Sequence, residues 1–288
     1  MNKALQHKIE YSISLMQKAE SLALNFHPDG FYLAFSGGKD SQAMYHIAKE
    51  AGVKFTAHFN LTSIDPPEVI RFVKNQYPDV ELIKPKMSIY DMTVKKRVLP
   101  TMKVRWCCAE YKEITGAGRV TLLGIRKSES VRRSKRNELE ISHHKLSVNF
   151  DQFSEHSEQM VSCVGGKDKI MLSPILNWTD SDVWTYIHDR KLNYCSLYDE
   201  GKKRIGCILC PMSSYKSCME DIKRYPHVKH KWIQTIQKLI DMGCVSHSKL
   251  KEDAETGFNW WISKKSYRQF YSDEFLQQKI DFEFEKVV

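Results

Sequence analysis

Short, almost wholly apolar runs alternate along the chain with longer segments in which apolar residues recur every three or four positions. The short runs are typical of strands buried in a parallel sheet, and the longer periodicity is typical of amphipathic helices. Strands are predicted at residues 31–35, 53–59, 80–83, 120–125 and 170–172. Helices are predicted at residues 1–28, 42–50, 68–76 and 180–190.

Two parts of the chain depart from this alternation. Residues 137–170 are polar and lack a clear period, so we predict an insertion or lid there, with a hairpin that leads into the strand at 170–172. Helices at 213–224 and 228–242 are followed by a charged, aromatic tail. The predicted regions are an N-terminal helix (1–28), an α/β domain (29–215) that includes the lid and a cysteine loop (204–212), and a helical, aromatic C-terminal extension (216–288).

Charge and composition narrow the functional classes. The net charge of +9 favours a polyanionic partner such as tRNA or DNA, or an anionic substrate, and an excess of solubilising lysine is the alternative. No apolar run is long enough to span a bilayer and the N-terminus lacks a signal-peptide core, so we expect a cytoplasmic protein without a membrane partner. The eight cysteines point to metal or redox chemistry before a disulfide framework.

A glycine-rich turn between the first buried strand and its helix carries the strongest chemical signal. Glycines let the backbone approach an anion closely, and the amides at the start of the following helix point towards it. The motif is not a Walker loop, and a chance Gly-Gly turn is the alternative explanation. Lysine adds a cation, serine hydroxyls add hydrogen-bonding groups, and the aspartate suits Mg2+ held against the same phosphates. The residues are Ser36, Gly37, Gly38, Lys39, Asp40 and Ser41.

This turn resembles the SGGxDS pyrophosphate loop of the ATP-pyrophosphatase superfamily, and further matches between about residues 30 and 215 narrow the resemblance to the phosphoadenosine-phosphosulfate reductase-like group. The resemblance implies a doubly wound, mostly parallel five-stranded sheet with a nucleotide over the carboxyl ends of the strands, where open α/β sheets generally bind ligands. It also implies ATP with Mg2+ as the bound species. Asn60, after the second strand, is then a candidate contact to the adenosine.

A basic segment follows the strand at 120–125. The stretch that begins at Gly124 resembles a GxRxxES motif of the same group, which implies that Arg126 and Arg132 face phosphates or a sulfate. Guanidinium groups suit such oxyanions because they donate two parallel hydrogen bonds. A solvated basic turn is the alternative. With the loop, this segment makes Lys39, Asp40 and Arg126 the candidate catalytic residues.

Two cysteine pairs lie about a hundred residues apart, and together they suit one metal site built from two loops. An adjacent pair is unusual for structural zinc, whereas Cys-Cys with Cys-x-x-Cys resembles the [4Fe-4S] ligand set of adenylyl-sulfate reductases. The resemblance therefore implies a [4Fe-4S] cluster, with Zn2+ as the alternative. The four candidate ligands are Cys107, Cys108, Cys207 and Cys210.

The remaining cysteines have weaker signals. We expect Cys195 and Cys218 to be buried as small apolar residues. Cys244 precedes His247 with the spacing of the reductases' catalytic cysteine but without its flanking residues, and Cys163 in the predicted lid is the other candidate sulfur carrier.

An intact pyrophosphate loop implies an ATP that is cleaved between its α- and β-phosphates. The leading hypothesis is therefore an adenylating, pyrophosphate-releasing sulfur-transfer enzyme that acts on tRNA, DNA or another acceptor with an external sulfur donor. A reductase of adenylyl sulfate or phosphoadenylyl sulfate, served by a thioredoxin-like dithiol, is the second. A sensor or complex subunit that binds nucleotide and cluster without turnover is the third. Oligomeric state is left open by the sequence.

Overall fold

A computed structural model describes residues 3–141, 169–245, 247–251 and 253–272. Within them lies a six-stranded sheet of order β3-β2-β1-β4-β6-β5, in which only β5 runs antiparallel, to β6. The mostly parallel α/β fold is thus confirmed, with one strand more than the five expected. The strands are β1 (Phe31–Phe35), β2 (Phe55–Asn60), β3 (Glu81–Ile83), β4 (Val120–Leu122), β5 (Leu139–Ile141) and β6 (Ile170–Leu172).

The helices close to the predicted positions begin at identifiable signals. Pro67 occupies the first turn of α3, and Thr179 with Asp182 forms a capping box at the start of α7. The described helices are α1 (Lys3–Phe26), α2 (Lys39–Ala51), α3 (Pro67–Gln76), α4 (Ile89–Lys96), α5 (Trp106–Cys108), α6 (Val131–Ser134), α7 (Asp180–Asp189), α8 (Tyr215–Arg224), α9 (Pro226–Asp241) and α10 (Ala254–Ser263). None of the described helices is long and apolar enough to cross a membrane.

The chain divides into two compact units. Unit 1 comprises residues 1–61, 65–85 and 110–206, and it contains the sheet. Its core is formed by the apolar side chains of β1, β2, β4 and β6 together with those of α1, α2, α3 and α7. The buried Trp178 indole donates to Ser12 Oγ at 3.2 Å, which attaches the segment before α7 to α1. This contact helps to fix the start of α7, where the charged residues described below lie.

Unit 2 comprises residues 62–64, 86–109 and 207–288, so the units do not follow the sequential boundaries predicted above. The reason lies in the packing of α4 and the segment after it with the C-terminal helices. Trp232 and Trp261 have ring centroids 4.6 Å apart, and the Trp261 indole donates to the carbonyl of Pro100 at 2.7 Å. These tryptophans explain part of the aromatic signal in the C-terminal region: they build a local core.

The polar segment at 137–170 is described only at its two ends. Those ends are β5 and β6, which pair antiparallel with Leu139 opposite Leu172 and Ile141 opposite Ile170. The hairpin predicted before the strand at 170–172 falls largely on residues that the structure does not describe, and it stays a prediction. Residues 142–168, including most of the predicted lid and Cys163, lie outside the described residues.

Candidate functional site

The loop between β1 and α2 is a closed, hydrogen-bonded turn. Ser41 Oγ donates to the carbonyl of Gly38 at 2.8 Å and accepts from the N–H of Ser36 at 3.1 Å. Gly37 has a φ of +70°, and a Cβ there would lie 2.8 Å from a methyl group of Val69 in α3. The two serines therefore shape the loop from within, and Gly37 is required by both its backbone and its packing.

Gly38 has a different role. Its φ of −85° suits any residue, and a Cβ there would lie 3.4 Å from the hydroxyl of Tyr198, an ordinary contact. That hydroxyl accepts the N–H of Lys39 at 2.9 Å, so Tyr198 packs over the start of α2. Burial raises the pKa of Tyr198, which keeps its hydroxyl protonated. The turn itself therefore does not require glycine at position 38. The lack of a side chain there leaves open space in front of the loop.

We predict that Gly37→Ala and Gly38→Ala separate these two roles. Gly37→Ala should lower the free energy of unfolding by about 1–2 kcal/mol, because alanine is strained at positive φ. Gly38→Ala should unfold within about 0.5 kcal/mol of the wild type, as surface substitutions usually do, yet bind ATP about tenfold more weakly. Urea denaturation and calorimetric ATP titration measure the two effects. Equal ATP affinity of Gly38→Ala and wild type would contradict the assignment of the loop.

A cavity of about 150 Å³ opens in front of the loop, at the carboxyl ends of β1 and β4. Gly124, two residues after the end of β4, packs on the loop backbone: a Cβ there would lie 3.1 Å from the carbonyl oxygen of Asp40. Only glycine allows this approach without displacing the loop. The polar and glycine residues that line the cavity are Ser36, Gly38, Asp40, Ser41, Gly124, Glu129, Arg133, Tyr198 and Arg204.

Lys39 and Arg126, the predicted nucleotide-binding cations, do not line this cavity, and their contact with phosphates stays a prediction. Lys39 Nζ lies 3.0 Å from Asp180 Oδ1 and 3.6 Å from Asp40 Oδ2. Arg126 Nε lies 2.7 Å from Asp40 Oδ1, and its Nη2 lies 2.9 Å from Asp180 Oδ1. Both cations are almost wholly buried. Their burial requires paired carboxylates, which explains why the two side chains turn towards Asp40 and Asp180.

Asp180 is a member of this network to which the sequence reading assigned only a structural role, at the start of a helix and within a segment that resembles the family. Burial raises the pKa of Asp180, but the hydrogen bond and charge of Lys39, followed by those of Arg126, outweigh burial and hold the pKa below its usual value. The carboxyl is therefore ionised at neutral pH. The network holds two positive and two negative side chains.

The cations that line the cavity are Arg133 and Arg204. From the sequence, Arg132 was predicted to face the phosphates or a sulfate. Arg132 is exposed and does not line the cavity. Arg133 pairs with the buried carboxylate of Glu129 across the extended residue Ser130, and Arg204 Nη2 lies 3.5 Å from the same carboxylate. Because Glu129 lies outside the helix of Arg133, helical spacing could not have singled out this arginine from the sequence.

Asn60 ends β2, as predicted, and is 8% exposed. Its amide nitrogen donates to Thr115 Oγ1 at 2.6 Å, while its Oδ1 has no hydrogen-bond partner among the described residues. Asn60 does not line the cavity described above. A contact between Asn60 and the adenosine remains a prediction.

The four predicted cysteine ligands all belong to unit 2 and are all half-buried. Cys107 and Cys108 lie in the single helical turn α5, and Arg105 Nη2 donates to Cys108 Sγ at 3.3 Å. Thr62 Oγ1 lies 3.4 Å from Cys207 Sγ. Among residues 3–141, 169–245, 247–251 and 253–272, no group of three or more His, Cys, Asp or Glu side chains is arranged to hold a metal ion.

The thiols nevertheless lie within electrostatic reach of one another. A hydrogen bond with Cys108 raises the pKa of Cys107, and burial and the charges of Cys108, Cys207 and Cys210 raise it further. The Cys-x-x-Cys turn is held from outside: Lys264 Nζ donates to the carbonyls of Cys210 and Pro211 at 3.0 and 2.7 Å. The donor set of four thiols with an arginine donor and a hydroxyl beside them suits a sulfur-ligated metal centre in its chemistry. Cys195 and Cys218 are buried, as expected.

Comparison with known proteins shows the family. The phosphoadenosine phosphosulfate reductase domain matches residues 30–213, which is more than half of the chain. The chain belongs to this family. The resemblance inferred from the loop, the basic segment and the cysteines is thereby confirmed at the level of the family.

Two curated relatives match the chain over part of its length and part of their own. An uncharacterized protein of Methanocaldococcus jannaschii is 26% identical over 82% of this chain and 55% of its own length. The adenosine 5′-phosphosulfate reductase of Lysinibacillus sphaericus is 25% identical over 54% of this chain and 60% of its own. The chain thus spans about half the length of the curated relatives it matches first.

Two solved structures match parts of the chain at low identity. The phosphoadenylyl-sulfate reductase of Candida auris is 18% identical, with 72% of this chain and 96% of that chain covered and a TM-score of 0.44. The U34-tRNA thiolase of Methanococcus maripaludis, solved with its [4Fe-4S] cluster, is 13% identical, with 91% and 82% covered and a TM-score of 0.42.

Proposed function

We propose that the protein binds ATP at residues 36–41, releases pyrophosphate by adenylating an acceptor, and transfers sulfur to the activated position. The observation that carries this proposal is the closed loop of Ser36, Gly38 and Ser41 in front of a cavity with two arginines. Backbone amides at the start of a helix and guanidinium groups are the donors that suit a pyrophosphate. A substrate that carries one phosphate and one sulfate has no pyrophosphate, so it does not require a complete pyrophosphate loop.

The residues divide the work of binding. The loop and the start of α2 receive the β- and γ-phosphates, and Arg133 and Arg204 face the same cavity. Asp40 lines the cavity as well, so it is the residue that would hold Mg2+, which neutralises phosphate charge when bound. Lys39 and Arg126 hold Asp40 in place. An acceptor oxygen attacks the α-phosphorus, pyrophosphate leaves, and a sulfur nucleophile then displaces AMP from the adenylated acceptor.

Cys107, Cys108, Cys207 and Cys210 would hold a [4Fe-4S] cluster, or Zn2+ as the alternative. When bound, an iron–sulfur cluster would supply a redox centre, and an iron left open by three thiolate ligands would be able to bind sulfur. The chain's own contribution is to place positive charge and hydroxyl groups at the sulfurs, through Arg105 at Cys108 and Thr62 at Cys207. Such donors offset the negative charge of thiolate ligands.

A basic turn in unit 2 supports a nucleic acid as the acceptor. Between residues 94 and 105 the sequence has five lysines and arginines and no acidic residue. The exposed side chains include Val98, Met102 and Val104, beside the exposed Lys103. Trp106 donates to the carbonyl of Val98 at 3.1 Å, which braces the turn. Lysine and arginine side chains of this kind suit contacts with a nucleic-acid phosphate backbone.

A reductase that releases sulfite is the second candidate, since the 25% identical relative of L. sphaericus is an adenosine 5′-phosphosulfate reductase. The two candidates differ in the fate of sulfur, so anaerobically purified protein is tested with each complete set of substrates. We expect ³⁵S from a sulfide or persulfide donor to enter tRNA or DNA only when ATP is present. Release of labelled sulfite from adenylyl sulfate with a dithiol, without sulfur in nucleic acid, would establish the reductase instead.

A further inference from the structure

Asp180 occupies the position between Lys39 and Arg126 in a way that resembles an anionic ligand. A single oxygen, Oδ1, lies 3.0 Å from Lys39 Nζ and 2.9 Å from Arg126 Nη2. A phosphate or sulfate oxygen accepts hydrogen bonds from two cations in the same manner. Asp40 contacts the same two cations and lines the cavity, so this position adjoins the cavity.

The exposure of the three side chains shows which of them can leave. Lys39 and Arg126 are 2% and 3% exposed, whereas the side chain of Asp180 is 62% exposed. If Asp180 moves away from Lys39 and Arg126, its carboxylate returns to water at little free-energy cost. The two buried cations then require another anion. Exchange of Asp180 for an incoming anion is therefore the least costly rearrangement of the network.

The helix that begins at Asp180 does not depend on this carboxylate. Thr179 Oγ1 accepts the N–H of Asp182 at 3.1 Å, and Asp182 accepts the N–H of Thr179 at 2.7 Å. Asp182 Oδ2 also lies 2.6 Å from Lys8 Nζ, with which it forms a salt bridge. These contacts cap α7, so the contacts of Asp180 with Lys39 and Arg126 call for a different explanation.

We propose that Asp180 is an internal occupant of an anion subsite formed by Lys39 and Arg126, and that a phosphate or sulfate group of the substrate displaces it. The inference rests on the proposed function only in placing the substrate at this loop. With Asp180 in place the four side chains carry no net charge, and without it they carry one positive charge. Asp180 thus acts as a positioning residue that keeps both cations in place and weakens the binding of free anions.

The test is a calorimetric titration of inorganic pyrophosphate, and separately of sulfate, into the full chain and its variants. Asp180→Asn keeps the shape and removes the charge, so we expect it to bind pyrophosphate about tenfold more tightly than the wild type. Asp182→Asn removes a carboxylate from the same helical turn and should leave the affinity unchanged. A purely structural role for Asp180 predicts the opposite direction, with weaker binding in Asp180→Asn.

Every outcome bears on the proposal. Unchanged or weaker binding of both anions by a folded Asp180→Asn would overturn it, and so would unfolding of both Asp180→Asn and Asp180→Ser, because a replaceable occupant is not needed for folding. A wild type that binds neither ATP nor pyrophosphate would refute the proposed function. If Asp180→Asn then gained pyrophosphate binding, the internal occupant would still be supported. Tighter sulfate but not pyrophosphate binding would assign the subsite to a sulfate group.

Discussion

Arg126→Gln is expected to lower the free energy of unfolding by about 3–5 kcal/mol and to abolish measurable ATP binding. Arg126 is 3% exposed and pairs with Asp40 and Asp180, and its Nη1 donates to Ser128 Oγ at 3.0 Å. Glutamine would leave two carboxylates that share only Lys39. Removing one partner of a buried ion pair destabilises the fold far more than removing one partner of a surface ion pair, since an uncompensated charge remains buried.

Arg132→Gln is the matched control, because Arg132 lies in the same segment and is exposed. We expect its unfolding free energy to stay within about 0.5 kcal/mol of the wild type. Urea denaturation followed by circular dichroism gives the stability of both variants, and a nucleotide titration gives the affinity. An Arg126→Gln protein as stable as Arg132→Gln would show that the buried network contributes nothing to folding.

Cys108→Ser is expected to remove the metal centre from protein purified without oxygen. The iron and sulfide content should fall from about four each per chain, the composition of a [4Fe-4S] cluster, to near zero. A serine hydroxyl is a poor ligand for such clusters, and the donor from Arg105 would lose its thiolate partner. Metal analysis and the visible absorption spectrum measure the change.

Cys244→Ser is the control for this substitution. Cys244 is half-buried and its thiol lies 3.7 Å from the carbonyl of Met242, within the C-terminal part of the chain. We expect it to retain iron, sulfide and colour. Iron and sulfide kept by Cys108→Ser would refute the four-cysteine assignment, and one zinc without sulfide in the wild type would make the centre structural.

The loop was predictable from sequence because its determinants are local. Ser36 and Ser41 lie within six residues of each other and hydrogen-bond to one another, and the positive φ of Gly37 is a property of its own backbone. The position of β4 was also predictable from its run of apolar residues, although the predicted strand at 120–125 extends three residues beyond Leu122, where β4 ends. Local patterns of this kind carry both the strand and the turn that ends it.

The partners of the loop were not predictable, because they come from distant parts of the chain. Tyr198 lies 159 positions after Lys39, and Asp180 lies 54 positions after Arg126. An aspartate at the start of a helix has an adequate local explanation as a capping or dipole residue. Nothing in the sequence distinguishes it from an aspartate that also pairs with a lysine in a folded loop.

Strand β5 was missed for a related reason. Leu139–Ile141 has only three residues, two of which are apolar, and it is a strand because it pairs with β6. A segment this short carries too little pattern to be recognised alone. The division into two units was missed because residues 86–109 pack with helices more than a hundred positions later.

The most direct test of the account is the product formed from ATP labelled on the γ-phosphate, with tRNA or DNA present as acceptor. The account predicts labelled pyrophosphate together with AMP or an adenylated acceptor, and less of each product in the Gly38→Ala variant when the ATP concentration is below saturation. Labelled inorganic phosphate with ADP, or no turnover despite bound ATP, would contradict it.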